Sequence, residues 1–389
     1  MRRYLPVLLV VSLLTSGCIP SFEKQEEVIQ DPQQEDTERA IVPRYKISDD
    51  FYQTILPFKP GETRGQTVPR LSSRMDVDEF ELGLMRLSQG TFPSAQYLYQ
   101  EGQYISRSTI SSWLRRELTP AQMEEQGDEA NLGLNPPWIE GKDTKATNEN
   151  SPIILAHVLE QNYLVRKDDG KVELGGISIG LALNSVHEYT DEHQGIPLAR
   201  TYDIPDAVLE EEGKRMANEI VSRIRNIQGL EQIPIVVGLY KQSEHNSIVP
   251  GTFITKSTVD RGNSSTARWE AINEEYHLFP SSDAMEFYRD DAMRFQNFKT
   301  DVDEFFPNHT GIVGYGHYMD GDIQKFEINV FMEFYGKAEL IGFTQYVTGL
   351  LLEHFPPHVN LELTVESING AEALIVRDAG AEEPFVHIY

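Results

Sequence analysis

The single cysteine of the chain, Cys18, is the residue whose type and position point most directly to a chemical modification. It follows Ser16 and Gly17, two small residues that leave room for a signal peptidase beside the scissile bond. Thr15 stands three residues before the cysteine, where leucine is usual, and Leu14 lies one place further back. A thiol at a cleavage point can become a thioether-linked diacylglycerol, and added acyl chains such as palmitate strengthen membrane binding. We expect cleavage between Gly17 and Cys18, and lipidation of Cys18.

The residues before the cysteine have the pattern of a signal peptide over 1–17. Arg2 and Arg3 precede an apolar run over 4–14. A run of about eleven residues is too short to span a hydrocarbon core, which needs about twenty. We therefore expect a processed leader and not a stable membrane span. The expected partners are signal peptidase, the lipoprotein-processing enzymes and the extracytoplasmic face of the cell membrane, which the lipid on Cys18 would hold.

The charge balance excludes one large class of partner. Lys and Arg total 34 against 61 Asp and Glu, which gives a formal net charge of −27. Phosphates repel such a chain, so we expect no nucleic-acid partner. A soluble surface in a polyanionic envelope explains the acidity, and cation binding is the alternative. Residues 18–44 are rich in Glu, Gln and Asp and have few large apolar side chains. This composition predicts a disordered tether.

The remaining chemistry-bearing residues do not form a catalytic motif. The sequence has no phosphate-binding P-loop, no GxSxG nucleophile elbow and no HExxH zinc motif. His187 and His193 bracket three carboxylates within seven residues, a weak candidate for a zinc or manganese site in a predicted polar loop. Gly311, Gly314 and Gly316 resemble a phosphate loop but lie within a predicted strand, where no helix N-terminus could bind an anion. We therefore expect no enzyme activity and no cofactor.

Two stretches of the body follow the same order of predicted elements: strand, turn, strand, helix, strand, strand. In the first, these elements are predicted at 153–165, 168–170, 177–183, 207–227, 233–240 and 251–258. In the second, they are predicted at 311–318, 320–322, 326–334, 337–354, 359–367 and 373–378. Ile177 and Ile328 both fall seven residues after their turn glycine, and the alternating apolar positions that follow stay in register.

This repeat predicts an α+β fold with two related units, each with one apolar sheet face covered by its helix. Further helices are expected over 75–88, 106–118 and 282–298, so the first unit carries a helical and irregular N-terminal extension.

The predicted organisation is a signal peptide over 1–17, a lipidated tether over 18–44, a first unit with its extension over 45–259, a linking segment over 260–310 and a second unit over 311–389. A groove between two related units is a natural position for a ligand.

The chain resembles the CamS family of lipoproteins from Gram-positive bacteria, described as sex-pheromone precursors. The resemblance covers nearly the whole chain. It rests on the lipoprotein start LLTSGC, the stretch FYQTILPFKPGETRG, the segment RMDVDEFELGLMRLSQGTFPSAQYLYQEGQYISRSTISSWLRREL and the two C-terminal repeats. The family is likewise described as containing two related repeats.

The resemblance implies a function for the leader and none for the body. In this family the cleaved signal peptide is processed further to a short exported peptide that can act as a conjugation pheromone. The matching residues here are Val11, Ser12, Leu13, Leu14, Thr15, Ser16 and Gly17. This stretch differs from the best-known pheromone peptide, and no catalytic residues come with the family.

Three readings of the mature body follow. The first is a non-enzymatic surface lipoprotein that binds an unknown partner. The second is an envelope hydrolase or a metal-dependent enzyme that acts on cell-wall material. The third is a solute-binding protein with its ligand between the two units.

Overall fold

A computed structural model describes residues 26–30, 39–43, 45–65, 73, 75–193, 195–306 and 309–389. The strands in chain order are β1 (Glu26–Gln30), β2 (Arg39–Val42), β3 (Gln53–Thr54), β4 (Tyr97–Glu101), β5 (Leu155–Arg166), β6 (Lys171–Leu183), β7 (Val186–His193), β8 (Ile196–Asp203), β9 (Ile235–Lys241), β10 (Thr252–Val259), β11 (Trp269–Ala271), β12 (Glu274–Phe279), β13 (His309–Met319), β14 (Asp322–Met332), β15 (Asn360–Ser367), β16 (Gly370–Arg377) and β17 (Phe385–Ile388). The helices are α1 (Val77–Ser88), α2 (Arg107–Trp113), α3 (Pro120–Gln126), α4 (Thr144–Asn150), α5 (Asp206–Ile224), α6 (Ser282–Phe287), α7 (Arg289–Phe305) and α8 (Lys337–His354).

Two sheets of matching topology organise the molecule. The first runs in the order β11-β10-β9-β6-β5-β4-β3, and the second in the order β17-β16-β15-β14-β13-β12. In each sheet an antiparallel pair, β5–β6 or β13–β14, is joined through one parallel contact to a second antiparallel pair, β9–β10 or β15–β16. Parallel neighbours need a crossover connection, which α5 provides in the first sheet and α8 in the second. The predicted α+β fold with two related units is confirmed.

The strand register supports the repeat residue by residue. Ile177 on β6 lies opposite Ile235 on β9, and Ile328 on β14 lies opposite Leu363 on β15. All four side chains are buried. The equivalence also extends beyond the predicted unit, because β4 and β11 flank the first copy as β12 and β17 flank the second. The duplicated element is therefore six strands wide.

The two sheets differ in how many faces they bury. The even positions of β6, including Ser178, Gly180 and Ala182, are buried together with the odd ones, because α1 covers the face opposite α5. On β14 burial alternates along the strand, and Phe331 is exposed. A strand that is covered on both faces has a near-continuous run of small and apolar residues in its sequence. The segment GGISIGLAL in β6 is such a run.

Gly180 is required by this double cover. A Cβ atom at Gly180 would lie 2.8 Å from the Phe80 ring of α1. The helix therefore packs directly on the strand backbone at this point.

Three segments differ from the sequence prediction. The predicted polar loop around His187 is a long hairpin, β7–β8, whose backbone groups pair with each other and so tolerate polar side chains on both faces. The predicted tether contains strands β1 and β2, and β1 pairs in parallel with the start of β6. Main-chain hydrogen bonds offset the polar composition of this segment, and Val42 is buried. Residues 18–25, 31–38 and 44 lie outside the described part of the chain.

The linking segment over 260–310 contributes a strand to each sheet. β11 pairs with β10 in the first sheet, and β12 pairs with β13 in the second. The helix expected over 282–298 is two helices, α6 and α7, which meet at Tyr288. None of the helices in the described ranges is both long enough and apolar enough to cross a membrane.

The buried face of the second sheet can be tested by mutation. Ile328→Ala should lower the free energy of unfolding by about 2–5 kcal/mol, because it leaves a cavity in a packed apolar layer. Phe331→Ala on the same strand is the matched control, and its exposed side chain should cost less than about 1 kcal/mol. Equilibrium denaturation in urea measures both values. Equal losses in the two variants would contradict the assignment of the buried face.

Candidate ligand-binding sites

The predicted lipidation and leader residues, Val11 to Cys18, lie outside the described part of the chain. The two histidines of the weak metal candidate lie on β7. His187 is buried at its start, where Nδ1 accepts a hydrogen bond from the Ile153 backbone and Nε2 lies 3.3 Å from the side-chain oxygen of Asn148. His193 ends the strand, about 20 Å away at the usual rise per residue.

Burial, together with the nearby charge of Arg116, lowers the pKa of His187 to about 4. Among the residues that the structure describes, no group of three or more His, Cys, Asp and Glu side chains could hold a metal ion. His187 is thus a neutral, hydrogen-bonded residue at the base of the hairpin.

The glycines at 311–316 lie in β13, within the strand that the sequence predicted. A Cβ atom at Gly314 would lie 2.6 Å from the Phe326 ring, and one at Gly316 would lie 2.9 Å from the Phe279 ring. Close packing against these aromatic rings explains both glycines.

The groove between the two units exists, with a volume of about 480 Å³. It lies between the first turns of α1 and the strands β12, β13 and β14. Its charged side chains are largely paired with one another: Arg86 with Glu79 at 2.7 Å, and Lys325 with Glu327. The groove is therefore a polar contact between units more than an open receptor for a solute.

Glu274 connects the units beneath this groove. Its side chain is 1% exposed. One carboxylate oxygen pairs with Arg86 of α1 and accepts a hydrogen bond from Nε2 of His317 on β13 at 2.9 Å. The other oxygen accepts from the backbone N–H of Phe253 on β10 at 3.3 Å. Burial alone would raise the pKa of Glu274, but the hydrogen bond from His317 and the charge of Arg86 lower it.

A second cavity, of about 430 Å³, lies within the first unit and was not predicted from the sequence. It lies between the first half of α1, the strands β4 and β5, and the loop over 61–65. Its apolar wall comes from β5, from α1 and from the residue two positions before α1. The residues of that wall are Met75, Val77, Phe80 and Leu159. We call this space the β4–β5 cavity.

The loop at the mouth of the β4–β5 cavity is attached through Glu101. This carboxylate accepts a hydrogen bond from the Gly61 backbone N–H at 2.6 Å and from Nε of Arg64 at 2.8 Å. The guanidinium of Arg64 also lies 3.9 Å from Glu81 of α1. Desolvation raises the pKa of Glu81, and the charge of Arg64 only partly opposes this shift. Glu81 is the carboxylate of the cavity with the weakest pairing.

Glu160 holds the chain that leaves β4. Its carboxylate accepts hydrogen bonds from three consecutive backbone N–H groups, those of Gln103, Tyr104 and Ile105, at 2.7–3.2 Å. Complete burial raises the pKa of Glu160 to about 6, against the opposing effect of these donors. Its hydrogen-bonding capacity is used in shaping the cavity wall.

His157 on β5 also lines the cavity and is 8% exposed. Its Nδ1 atom is buried and has no hydrogen-bond partner within the described ranges. Desolvation lowers its pKa to about 4, so the ring is neutral at pH 7. The sequence did carry a signal here, because His157, Glu160, Gln161 and Asn162 are polar residues within a strand whose other residues are largely apolar. Polar residues inside a buried run need partners or a function.

These features define a two-unit α+β protein with a cavity in its first unit. Residues 58–383 match the family described as "CamS sex pheromone cAM373 precursor", so the chain belongs to the CamS family.

Solved structures agree with this membership. One is the C-terminal domain of the sex pheromone staph-cAM373 precursor of Staphylococcus aureus, 33% identical, with a TM-score of 0.68 over 80% of this chain and 96% of that one. Another is a sex pheromone precursor of Lactobacillus salivarius subsp. salivarius UCC118, 26% identical, with a TM-score of 0.78 over 90% of this chain and 99% of that one. Among curated proteins, none matches this chain.

The buried His157 gives the second prediction. Because its pKa falls from 6.5 in the unfolded chain to about 4 in the folded one, the unfolded chain binds more protons between these pH values. Its contribution to stability is complete above pH 6.5 and is lost as the pH falls toward 4. His157→Gln removes this titration. The difference in unfolding free energy between wild type and variant should change by about 1.4 kcal/mol per pH unit within that window.

Urea denaturation at a series of pH values measures this difference. His245→Gln, at an exposed position, is the control and should run parallel to the wild type. A His157→Gln profile that also stays parallel would contradict the burial of a neutral imidazole.

Proposed function

We propose that this chain is a lipid-anchored precursor whose leader supplies a short secreted peptide and whose mature body remains at the extracytoplasmic membrane face. The observation that carries the proposal is membership of a family described as sex pheromone precursors. The leader supports it, because Arg2 and Arg3, an apolar run and small residues directly precede Cys18. Cleavage before Cys18 would release residues 1–17, and further processing would yield a peptide within Val11–Gly17.

The proposed role of the mature body is binding, without catalysis. The ionisable groups of the β4–β5 cavity support this view. Glu101 is held by Arg64 and the Gly61 backbone, and Glu160 is held by three backbone N–H groups. Within the described part of the chain, Nδ1 of His157 has no hydrogen-bond partner that would orient its ring. A general base needs such an orienting partner and a reacting group within reach.

The anchoring proposal is tested by mass spectrometry of the membrane fraction of producing cells, combined with analysis of peptides in the spent medium. We expect an N-terminal fragment that begins at a diacyl- or triacylglyceryl Cys18, and a short peptide drawn from Val11–Gly17. Cys18→Ser should abolish the lipid and leave the leader attached, because the lipid is added to the thiol. A mature protein with a free, unmodified N-terminus at another residue would contradict the proposal.

Solute binding is the second candidate function of the body. The observation that favours it is the β4–β5 cavity, whose volume of about 430 Å³ lies within the range of small-molecule sites. The cavity lies inside the first unit, whereas the sequence analysis placed such a ligand between the units.

A further inference from the structure

The polar and charged groups that line the β4–β5 cavity do not fully satisfy one another. Among the residues that the structure describes, three carboxylates line it, those of Glu81, Glu101 and Glu160, against the cation Arg64. Arg64 is committed to Glu101 through hydrogen bonds from its guanidinium. Glu160 is committed to the backbone. Glu81 remains, and within the described ranges its cationic neighbour is Arg64, at 3.9 Å.

A second, independent observation comes from the opposite wall. His157 is more than nine-tenths buried, lines the same space and has an unpartnered Nδ1 atom within the described ranges. An orphaned buried nitrogen normally costs about 1–3 kcal/mol, so its presence beside a cavity points to a missing hydrogen-bonding group. A neutral imidazole offers one acceptor nitrogen and one donor N–H.

The apolar residues of the lining indicate the chemistry of the rest of the ligand. Val77 and Phe80 of α1 and Leu159 of β5 form an apolar surface beside Glu81. An apolar group that fills this surface gains the hydrophobic contribution of about 25 cal/mol per Å² of buried area. A charged group on the same ligand must lie at Glu81, because elsewhere it would lose its hydration without a counter-charge.

We propose that the β4–β5 cavity binds a small ligand with an apolar body and a primary ammonium group, whose N–H groups donate to Glu81 while its body packs on Val77, Phe80 and Leu159. His157 provides a neutral imidazole ring in the wall of the same cavity. This inference rests on the second candidate function, solute binding. Two sources share the chemistry: a free alkylamine, and the N-terminal ammonium of a short apolar peptide such as Val11–Gly17 of this chain.

The test is isothermal titration calorimetry on the whole mature protein in lipid nanodiscs, with empty nanodiscs as the blank. The probes are hexylammonium and its uncharged analogue hexan-1-ol. Hexylammonium should bind saturably, at least about tenfold more tightly than hexan-1-ol, because a hydrogen bond to a charged group contributes about 1.5–3 kcal/mol.

Three variants locate the ammonium group. Glu81→Gln should weaken hexylammonium at least about fivefold and leave hexan-1-ol unchanged. Glu149→Gln on α4 is its matched control and should change neither probe. The two glutamates have nearly equal side-chain exposure, 34% and 33%, and each has one cation at 3.6–3.9 Å. Val77→Phe, at an exposed position on the cavity wall, should weaken both probes by filling the space.

Titrations with synthetic peptides distinguish the two sources of the ammonium group. A synthetic Val11–Gly17 peptide that binds more tightly than hexylammonium, and loses binding when N-acetylated, identifies a peptide N-terminus as the ligand. Binding of hexylammonium without the peptide identifies a free amine.

Two outcomes would overturn the proposal. Equal affinity for hexylammonium and hexan-1-ol would leave solute binding standing but remove the ammonium specificity. No saturable binding of either probe to the wild-type protein would count against both the ligand class and the solute-binding role.

Discussion

The buried carboxylate of Glu274 is the contact on which the arrangement of the two units depends. It belongs to β12 of the second sheet, yet it receives Arg86 from α1 and the Phe253 N–H from β10, both parts of the first unit. His317 of β13 supplies a hydrogen bond from its own side and stacks on Tyr276 at 4.6 Å between ring centroids. Separation of the units would leave a buried charge without its partner, which is strongly destabilising. The ion pair therefore stabilises the contact between the units.

Duplication explains the arrangement that the two units share, and helix α1, which covers the second face of the first sheet, explains the candidate site. Both units repeat the six-strand pattern with a crossover helix, but only the first sheet is covered on its second face, by α1. Phe80 and Leu84 of α1 pack on Ala182 and Tyr240 of the central strands. The helix therefore sits over β6, β9 and β10, and a space remains toward β4 and β5. The loop over 61–65 closes that space through the bond between Arg64 and Glu101.

The sequence predicted the order of strands and helices well, because the spacing of apolar residues indicates which positions are buried. Helix α8 was predicted with the bounds that the structure has, Lys337–His354, and the register of Ile177 with Ile328 revealed the duplication. Polar composition gave a different prediction from the structure in two places: it predicted a loop at the hairpin β7–β8 and a disordered tether at the strands β1 and β2. There, pairing of main-chain groups outweighs what the side chains favour.

The candidate site could not be predicted in the same way. Glu81, Glu101 and His157 stand far apart in sequence and meet only through the pairing of β4 with β5 and the packing of α1. The spacing of residues within one segment therefore does not indicate that these three side chains line the same cavity. The polar residues within the buried strand β5, His157 and Glu160 among them, were the available signal, and they identify the strand without identifying the partners. The predicted histidines, His187 and His193, were instead near in sequence and are distant in space, because a strand extends the chain between them.

Scanning calorimetry of the mature protein tests most directly whether Glu274 joins the two units into one folding body. The wild type should unfold in a single transition with equal calorimetric and van't Hoff enthalpies. Glu274→Gln, which removes the counter-charge of Arg86, should cost about 3–5 kcal/mol and separate the transition into two. Glu270→Gln, with its exposed pair to Lys256 at 3.9 Å, should keep one transition near the wild-type temperature. Two independent transitions in the wild type, or an unchanged single transition in Glu274→Gln, would contradict this account.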